Sequence, residues 1–212
     1  MGPPGGGRSN ITARMSRHFN TITYTNLQES NIKQIFSTIV KAFLSGCKAE
    51  VTSSLDKIID MTLSIYNNVA TELKPTPTKS HYTFNLRDIS KIFQGVCLAS
   101  PKTVETARDI TKLWVHENYR VFRDRMVSEE DRNKLNSLIT KEFVEVLGLT
   151  EDQIYGGGRI IFGDYMNGID ADPRVYEVIA DVDKMIKKFV EYLGDYNEGV
   201  KHPMRLVMFL DA

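Results

Sequence analysis

The chain has 212 residues, with 27 basic and 27 acidic side chains and a formal net charge of zero. That balance excludes bulk electrostatic capture of nucleic acid or of an anionic membrane, but leaves room for a local cationic site. Hydrophobic residues make up 42% of the chain, enough to bury a real core, so wholesale disorder is excluded too. No apolar run approaches the ~20 residues that a membrane span needs. The Gly- and Pro-rich N-terminus lacks the apolar core of a secretory signal. Cys47 and Cys97 sit in apolar, helix-like surroundings and read as two buried thiols of a reduced, intracellular chain. His18, His81, His116 and His202 are scattered, with no Cys or carboxylate at ligand spacing, so no metal site is expected.

In chain order, residues 1–10 form a loop, "ITARMSRHF" a short helical turn, and "FNTITYT" alternates well enough for a brief strand. From Glu29 the character changes. Ile32, Ile35, Phe36, Ile39, Val40, Phe43 and Leu44 recur at helical spacing, with Gly46 as a stop. A second amphipathic helix carries Leu55, Ile58, Ile59, Thr62, Tyr66 and Val69. "KPTPTKSHYTF" breaks it, because Pro75 and Pro77 remove donors and disfavour helix before them. Asn85 is placed to cap a third helix bearing Leu86, Ile89, Phe93 and Val96. A long fourth helix is predicted over 103–126, burying Ala107, Ile110, Leu113, Trp114, Val121 and Phe122. "SEED" at 128–131 reads as a cap and acidic first turn for a fifth, with Leu135, Leu138, Ile139, Phe143, Val146 and Leu147 inward and Gly148 after it. "YGGGR" reads as a hinge loop and "RIIFGDY" as a short extended piece. Asp172 and Pro173 form a cap and first-position pair for a last helix through Val175, Ile179, Val182, Ile186, Phe189 and Leu193. The chain stops inside the apolar segment "MRLVMFLDA", and both ends are read as cut points in a longer protein. The expectation is a mainly α fold with a fragment of α/β material at its front.

The opening "MGPPGGGRSN" fits the phosphate-loop pattern G-x-x-x-x-G-K-[ST] over residues 2–9 except that Arg8 replaces the lysine. A working phosphate loop needs a strand before it, a cradle of backbone N–H groups, a Lys with a Ser or Thr, and acids to hold magnesium. The sequence shows no strand leading into the loop, arginine is bulkier than a compact ammonium, and no apolar strand ending in paired acids follows. Arg14 and Arg17, three apart in "RMSRHF", share one face of a helical turn. Arginines so placed can reach a phosphate held by a neighbouring body, although most such pairs are simply solvated.

"GPPGGGRSNITARMSRHFN", "SHYTFNLRDISKIFQGV" and "LWVHENYRVFRDRMVSEEDR", in this order, resemble the dynein heavy chain at the third of the six AAA+ modules of its motor ring. "RLVMFLDA" looks like the lead-in to the fourth module. "GPPGGGR" and "FNLRD" are more similar to axonemal than to cytoplasmic dyneins. The resemblance implies a helical-bundle AAA+ small (lid) subdomain with a short α/β remnant of the large subdomain in front. The implied divisions are 1–28 (end of the large subdomain), 29–150 (lid) and 151–212 (lid extension and linker to the next module). It also implies that Gly5, Gly6, Gly7 and Arg8 belong to a sensor-one loop rather than a phosphate loop. Arg17 first, then Arg14, becomes the arginine-finger candidate, facing nucleotide held by the second module. Arg87 becomes the sensor-two residue, reaching phosphates bound by the third.

By the same resemblance the parent is an ATP-driven microtubule motor of the cytoskeleton, in a cilium or flagellum, using ATP or ADP with magnesium. Its partners would be neighbouring AAA+ modules, other dynein chains and the microtubule. The segment itself is expected to lack catalysis and to hold no nucleotide tightly. Two other classes stay open: a divergent phosphate-loop nucleotide-binding protein, and a helical scaffold for which Arg14, Arg17 and Arg87 are dispensable. Elsewhere, Trp114 reads as a core residue with a satisfied His116 beside it. Asp88 reads as a local pair or dipole partner, "RDRMVSEEDR" as a solvated helix end with local ion pairs, and "KMIKK" as a solvent face.

Overall fold

A computed structural model of the chain describes residues 11–25, 27–156, 158–168 and 171–208. The fold is mainly α, and the bundle is organised around one long helix. This is α3 (Ala49–Glu72), which follows α1 (Ala13–Ser16) and α2 (Glu29–Phe43). Val51, Leu55, Ile58, Ile59, Met61, Thr62, Leu63, Ile65 and Val69 of α3 are all buried. Apolar residues on more than one face mean that helices must pack on more than one side. They do: α3 packs against α2, against α5 (Ala107–Val121) and against α6 (Glu129–Leu147), while α4 (Leu86–Val96) lies on α5 and α2. Helix α6 presents Leu135, Ile139 and Phe143 inward at strict i, i+4 spacing. Its chain reverses at Gly148, whose φ of 69° only glycine adopts cheaply.

Local caps set most boundaries. The Asn85 side chain accepts from the Arg87 N–H and Asp88 reaches back to the Asn85 N–H, a capping box that starts α4 where the sequence places it. Helix α5 is shorter than expected. Thr106 and Asp109 form its capping box, and after Val121 the chain tightens into a 3-10 turn, Arg123–Arg125. Ser128 is the N-cap of α6 by backbone but not by side chain, because its Oγ accepts from Lys79 instead. Helix α2 ends at Phe43, before Gly46 is reached. A short α7 (Glu151–Tyr155) has its own box between Thr150 and Gln153.

Three expectations need correction. "FNTITYT" is not a strand: its residues are exposed, and no strand among the described residues lies beside it to satisfy its backbone groups. Asp172 and Pro173 do not start the last helix. They are joined by a cis peptide inside a loop, and the extended piece of "RIIFGDY" pairs as β1 (Phe162–Gly163) with β2 (Glu177–Val178). Val175 and Ile179 therefore belong to the hairpin, and α8 (Val182–Glu198) begins at Asp181, whose side chain accepts from the Lys184 N–H. Cys47 and Cys97 are half-buried rather than buried, each in a turn just beyond a helix, with burial raising both thiols. No helix among the described residues is long and apolar enough to cross a membrane.

Candidate functional site

Arg87 stands in the first turn of α4, exposed, and its guanidinium has no ion-pair or hydrogen-bond partner among the described residues. A cation in a first turn opposes the positive end of the helix dipole. It gains nothing from its own helix there, and an anion seated at the same end would reverse that penalty. The next residue back, Leu86, lines a shallow recess of about 270 Å³ with Leu27, Ile32, Leu63 and Tyr66 as its apolar wall and Glu29 and Asn67 at its polar side. Arg87 itself is not part of that lining; it offers an anion a free guanidinium at the helix start, one residue from the recess wall.

The segment leading into Arg87 is held from below by Arg125. Its NH1 donates to Asp88 Oδ1 at 2.9 Å, and its NH2 donates to the carbonyls of His81 and Thr83 at 3.2 and 3.1 Å. The guanidinium also sits 4.9 Å from the Phe84 ring centre. One planar fork thus fastens four residues of the α3–α4 loop and the helix that follows, a use for which lysine is no substitute. Beside it, Tyr82 donates to Asp131, and the Val127 N–H donates to the Tyr82 hydroxyl. Lys79 pairs with the same Asp131 and donates to Ser128 Oγ. Burial pushes the Asp131 carboxyl up, but hydrogen bonds from Lys79, Ser128 and Tyr82 outweigh it and hold it below the ordinary range. "RDRMVSEEDR" is therefore no mere solvated end. Asp88 is a helix-start partner as expected, but its cation is Arg125, 37 residues away, not a neighbour.

The other end of α4 rests on a buried carboxylate. Glu117 is fully buried, pairs with Arg120 at 2.6 Å and accepts from the Tyr176 hydroxyl at 2.8 Å. Arg120 also donates to the Lys91 carbonyl on α4. Glu117 thereby joins α4, α5 and the β1–β2 hairpin. Trp114 and His116 are what the sequence suggests. Trp114 is fully buried and donates to Thr62 Oγ1 at 2.8 Å. His116 Nδ1 lies 3.3 Å from the Ile160 carbonyl, between the rings of Phe162 and Tyr176.

Burial holds the His116 imidazole below its usual value, against smaller upward pulls from Glu117 and the Ile160 carbonyl. The folded chain therefore binds this proton less well than the unfolded chain. Its stability contribution is complete above the ordinary histidine value of about 6.5 and is lost as pH falls through the lower folded value. The melting temperature should fall between about pH 7 and pH 5, less steeply in His116→Phe. Equal slopes in the two proteins would show that His116 titrates as it does unfolded.

Arg14 and Arg17 lie on and just after α1, a turn with no buried residue. Arg17 Nε donates to His18 Nε2 at 3.2 Å, and nothing packs over either arginine among the described residues. They are not part of the α4 site. Gly5, Gly6, Gly7 and Arg8 lie outside the described residues. "KMIKK" is a solvent face: Lys184 and Lys188 pair along their own helix with Asp181 and Glu191. Among the described residues no group of three His, Cys, Asp or Glu side chains is arranged to hold a metal.

Residues 58–155 match the AAA+ lid domain family, which covers α3 from its middle through α7. The bundle is thus a AAA+ lid. The whole chain aligns at 40% identity with dynein axonemal heavy chain 1 of Mus musculus and spans 5% of that protein. It is 38% identical over 99% of its length to dynein axonemal heavy chain 6 of Homo sapiens, again 5% of the relative. It is 36% identical to dynein axonemal heavy chain 12 of Mus musculus, 7% of the relative. The chain belongs to the dynein heavy chain family, as a segment carrying one AAA+ lid.

Proposed function

We propose that this segment is the lid of the third AAA+ module in the motor ring of an axonemal dynein heavy chain, running on into the connection to the fourth. Its role is regulatory: it converts the nucleotide state of its module into movement between ring modules. Residues 1–28 close the large subdomain, 29–150 form the lid, and 151–212 lead to the next module. The single observation that carries this reading is Arg87, an exposed guanidinium without a partner among the described residues, in the first turn of a helix whose start is fixed by a capping box and by Arg125.

In the intact motor Arg87 would face the phosphates of ATP or ADP with magnesium in its own module. Arg17 or Arg14 would face nucleotide of the second module, with Gly5, Gly6, Gly7 and Arg8 as the sensor-one loop. A fixed guanidinium stabilises charge that spreads over phosphoryl oxygens. Because finger and sensor belong to different bodies, closing the gap between modules assembles the site and opening it disables it. The ring acts on microtubules in the axoneme of a cilium or flagellum, with other dynein chains as partners and no role for nucleic acid or membrane. The segment alone performs no catalysis.

The test is Arg87→Ala in a motor that contains this segment. A charge-assisted hydrogen bond is worth about 1.5–3 kcal/mol, so nucleotide affinity at this module should weaken about ten- to a hundredfold. Nucleotide-dependent ring movement should slow while the lid's melting temperature stays put. Unchanged affinity, or a large drop in melting temperature, would make Arg87 structural. A magnesium-dependent ATPase in the isolated chain that vanishes in Arg8→Ala would instead restore the phosphate-loop reading.

A further inference from the structure

We propose that Thr76 is a phosphorylation site for a proline-directed Ser/Thr kinase, and that its phosphate competes with Asp131 for Lys79. Two Ser/Thr-Pro dipeptides occur in the sequence, Thr76–Pro77 and Ser100–Pro101. They differ in their surroundings. Ser100 is half-buried and fully used: its Oγ accepts from the Lys102 N–H, its N–H donates to Thr103 Oγ1, and its carbonyl accepts from Thr103 and Val104. Thr76 is exposed, as are Lys74, Pro75, Pro77 and Thr78 around it. Thr76 and Lys79 form an isolated antiparallel bridge with the Lys79 N–H donating to the Thr76 carbonyl at 3.0 Å, and Thr76 Oγ1 bonds only within this exposed turn, to Thr78 Oγ1 and the Lys79 N–H, both at 3.2 Å. Pro77 sits at the second position of that turn, where its fixed φ is at home. A turn of this kind opens locally at little cost, so it can lie extended in a kinase groove. Thr76 alone of the two also carries a basic residue, Lys79, three positions on.

The chemistry balances simply. The γ-phosphoryl group of magnesium-bound ATP passes to Thr76 Oγ1 as its bond to ADP breaks, and the hydroxyl proton goes to the kinase's base. The new group is close to a dianion with three strong acceptors. It forms beside Lys79, whose backbone N–H already lies 3.2 Å from Thr76 Oγ1. In the unmodified chain the Lys79 ammonium is given to Asp131 and Ser128 at the start of α6, 5.4 Å from the Tyr82 ring. A phosphate offers it more charge at shorter chain separation. Once Lys79 turns away, Asp131 loses its cation, and phosphate faces the acidic first turn of Glu129, Glu130 and Asp131. The loop from Lys79 to Asn85 then keeps Arg125 and the Tyr82 bonds to Asp131 and Val127 but loses its one lysine tie to the start of α6. That loosening reaches Arg87; its meaning for phosphate sensing rests on the proposed function, whereas the modification itself does not.

The experiment incubates the folded chain with a purified proline-directed kinase and magnesium-ATP, maps phosphate by tandem mass spectrometry, and compares amide hydrogen exchange over residues 79–88. One phosphate is expected on Thr76 and none on Ser100, lost in Pro77→Ala. Exchange over 79–88 should rise about tenfold in the modified chain and not in Thr76→Ala treated alike. If the kinase modifies a peptide spanning residues 72–82 but not the folded chain, the site is overturned. Equal modification of Ser100 overturns the selectivity, and modified Thr76 with unchanged exchange overturns the competition. None of these readouts requires nucleotide at Arg87, so a failure of the nucleotide-facing reading is separately visible.

Discussion

Gly95→Ala should lower stability by about 2–4 kcal/mol, although alanine is the better helix former by up to about 1 kcal/mol. The reason is a collision with a charge that cannot step aside. A Cβ on Gly95 would lie 2.0 Å from the Glu117 carboxylate. A flexible, solvated glutamate would swing away, but Glu117 is fully buried and held by Arg120 and Tyr176. Moving it breaks a buried pair; keeping it displaces α4 from α5. The sign should invert once the carboxylate is gone. In a Glu117→Ala background the same Gly95→Ala change should be neutral or stabilising, because only helix propensity remains. Denaturant unfolding of the four proteins of this cycle measures the coupling. An equal cost in both backgrounds would place the strain at Gly95 elsewhere.

The helices were legible where local chemistry decides. Asn85 announced α4 because its cap is completed within three residues, and Gly148 marked the end of α6 because its backbone needs a positive φ. Thr150–Gln153 carries the same kind of signal for α7, a T-x-x-Q box masked in the sequence by the glycines just after it. Errors fell where a long-range partner outvoted the local pattern. Asp172–Pro173 has the right types for a helix start, but β1 claims β2, and the hairpin postpones the helix to Asp181. "FNTITYT" alternates, yet alternation makes a strand only when another strand stands beside it.

The site divided the same way. Arg87 could be placed from its cap alone. Arg125 could not, because its four partners, three in the α3–α4 loop and Asp88 in α4, lie some forty residues earlier and share no periodicity with it. Glu117 was hidden for a similar reason: a glutamate one place from a buried stripe reads as surface until Arg120 and Tyr176 are seen to enclose it. Charge density in "RDRMVSEEDR" was visible, but which charges are exposed and which fasten the loop depends on the fold.

Trp114→Ala should cost about 3–5 kcal/mol, the range for removing a large, fully buried aromatic side chain. Trp114 carries both a volume and a bond. Its ring is fully buried between α5 and α3, and its indole N–H donates to Thr62 Oγ1, which in turn donates to the Ile58 carbonyl at 2.7 Å. Alanine empties the ring's space in the centre of the bundle and leaves Thr62 without its donor. Phenylalanine keeps most of the volume, so Trp114→Phe should cost about 1–3 kcal/mol, near the loss of a buried hydrogen bond. Thr62→Val should cost a similar amount, and the two together less than their sum, because the second change no longer strands a buried polar group. Urea unfolding followed by far-ultraviolet circular dichroism reads all four proteins. This series also calibrates the Arg87 test. Trp114→Ala should lower the lid's melting temperature by many degrees and harm nucleotide response only in proportion to unfolding. Arg87→Ala should leave the melting temperature alone and still weaken nucleotide binding, the split that separates a phosphate-sensing side chain from one that holds the lid together.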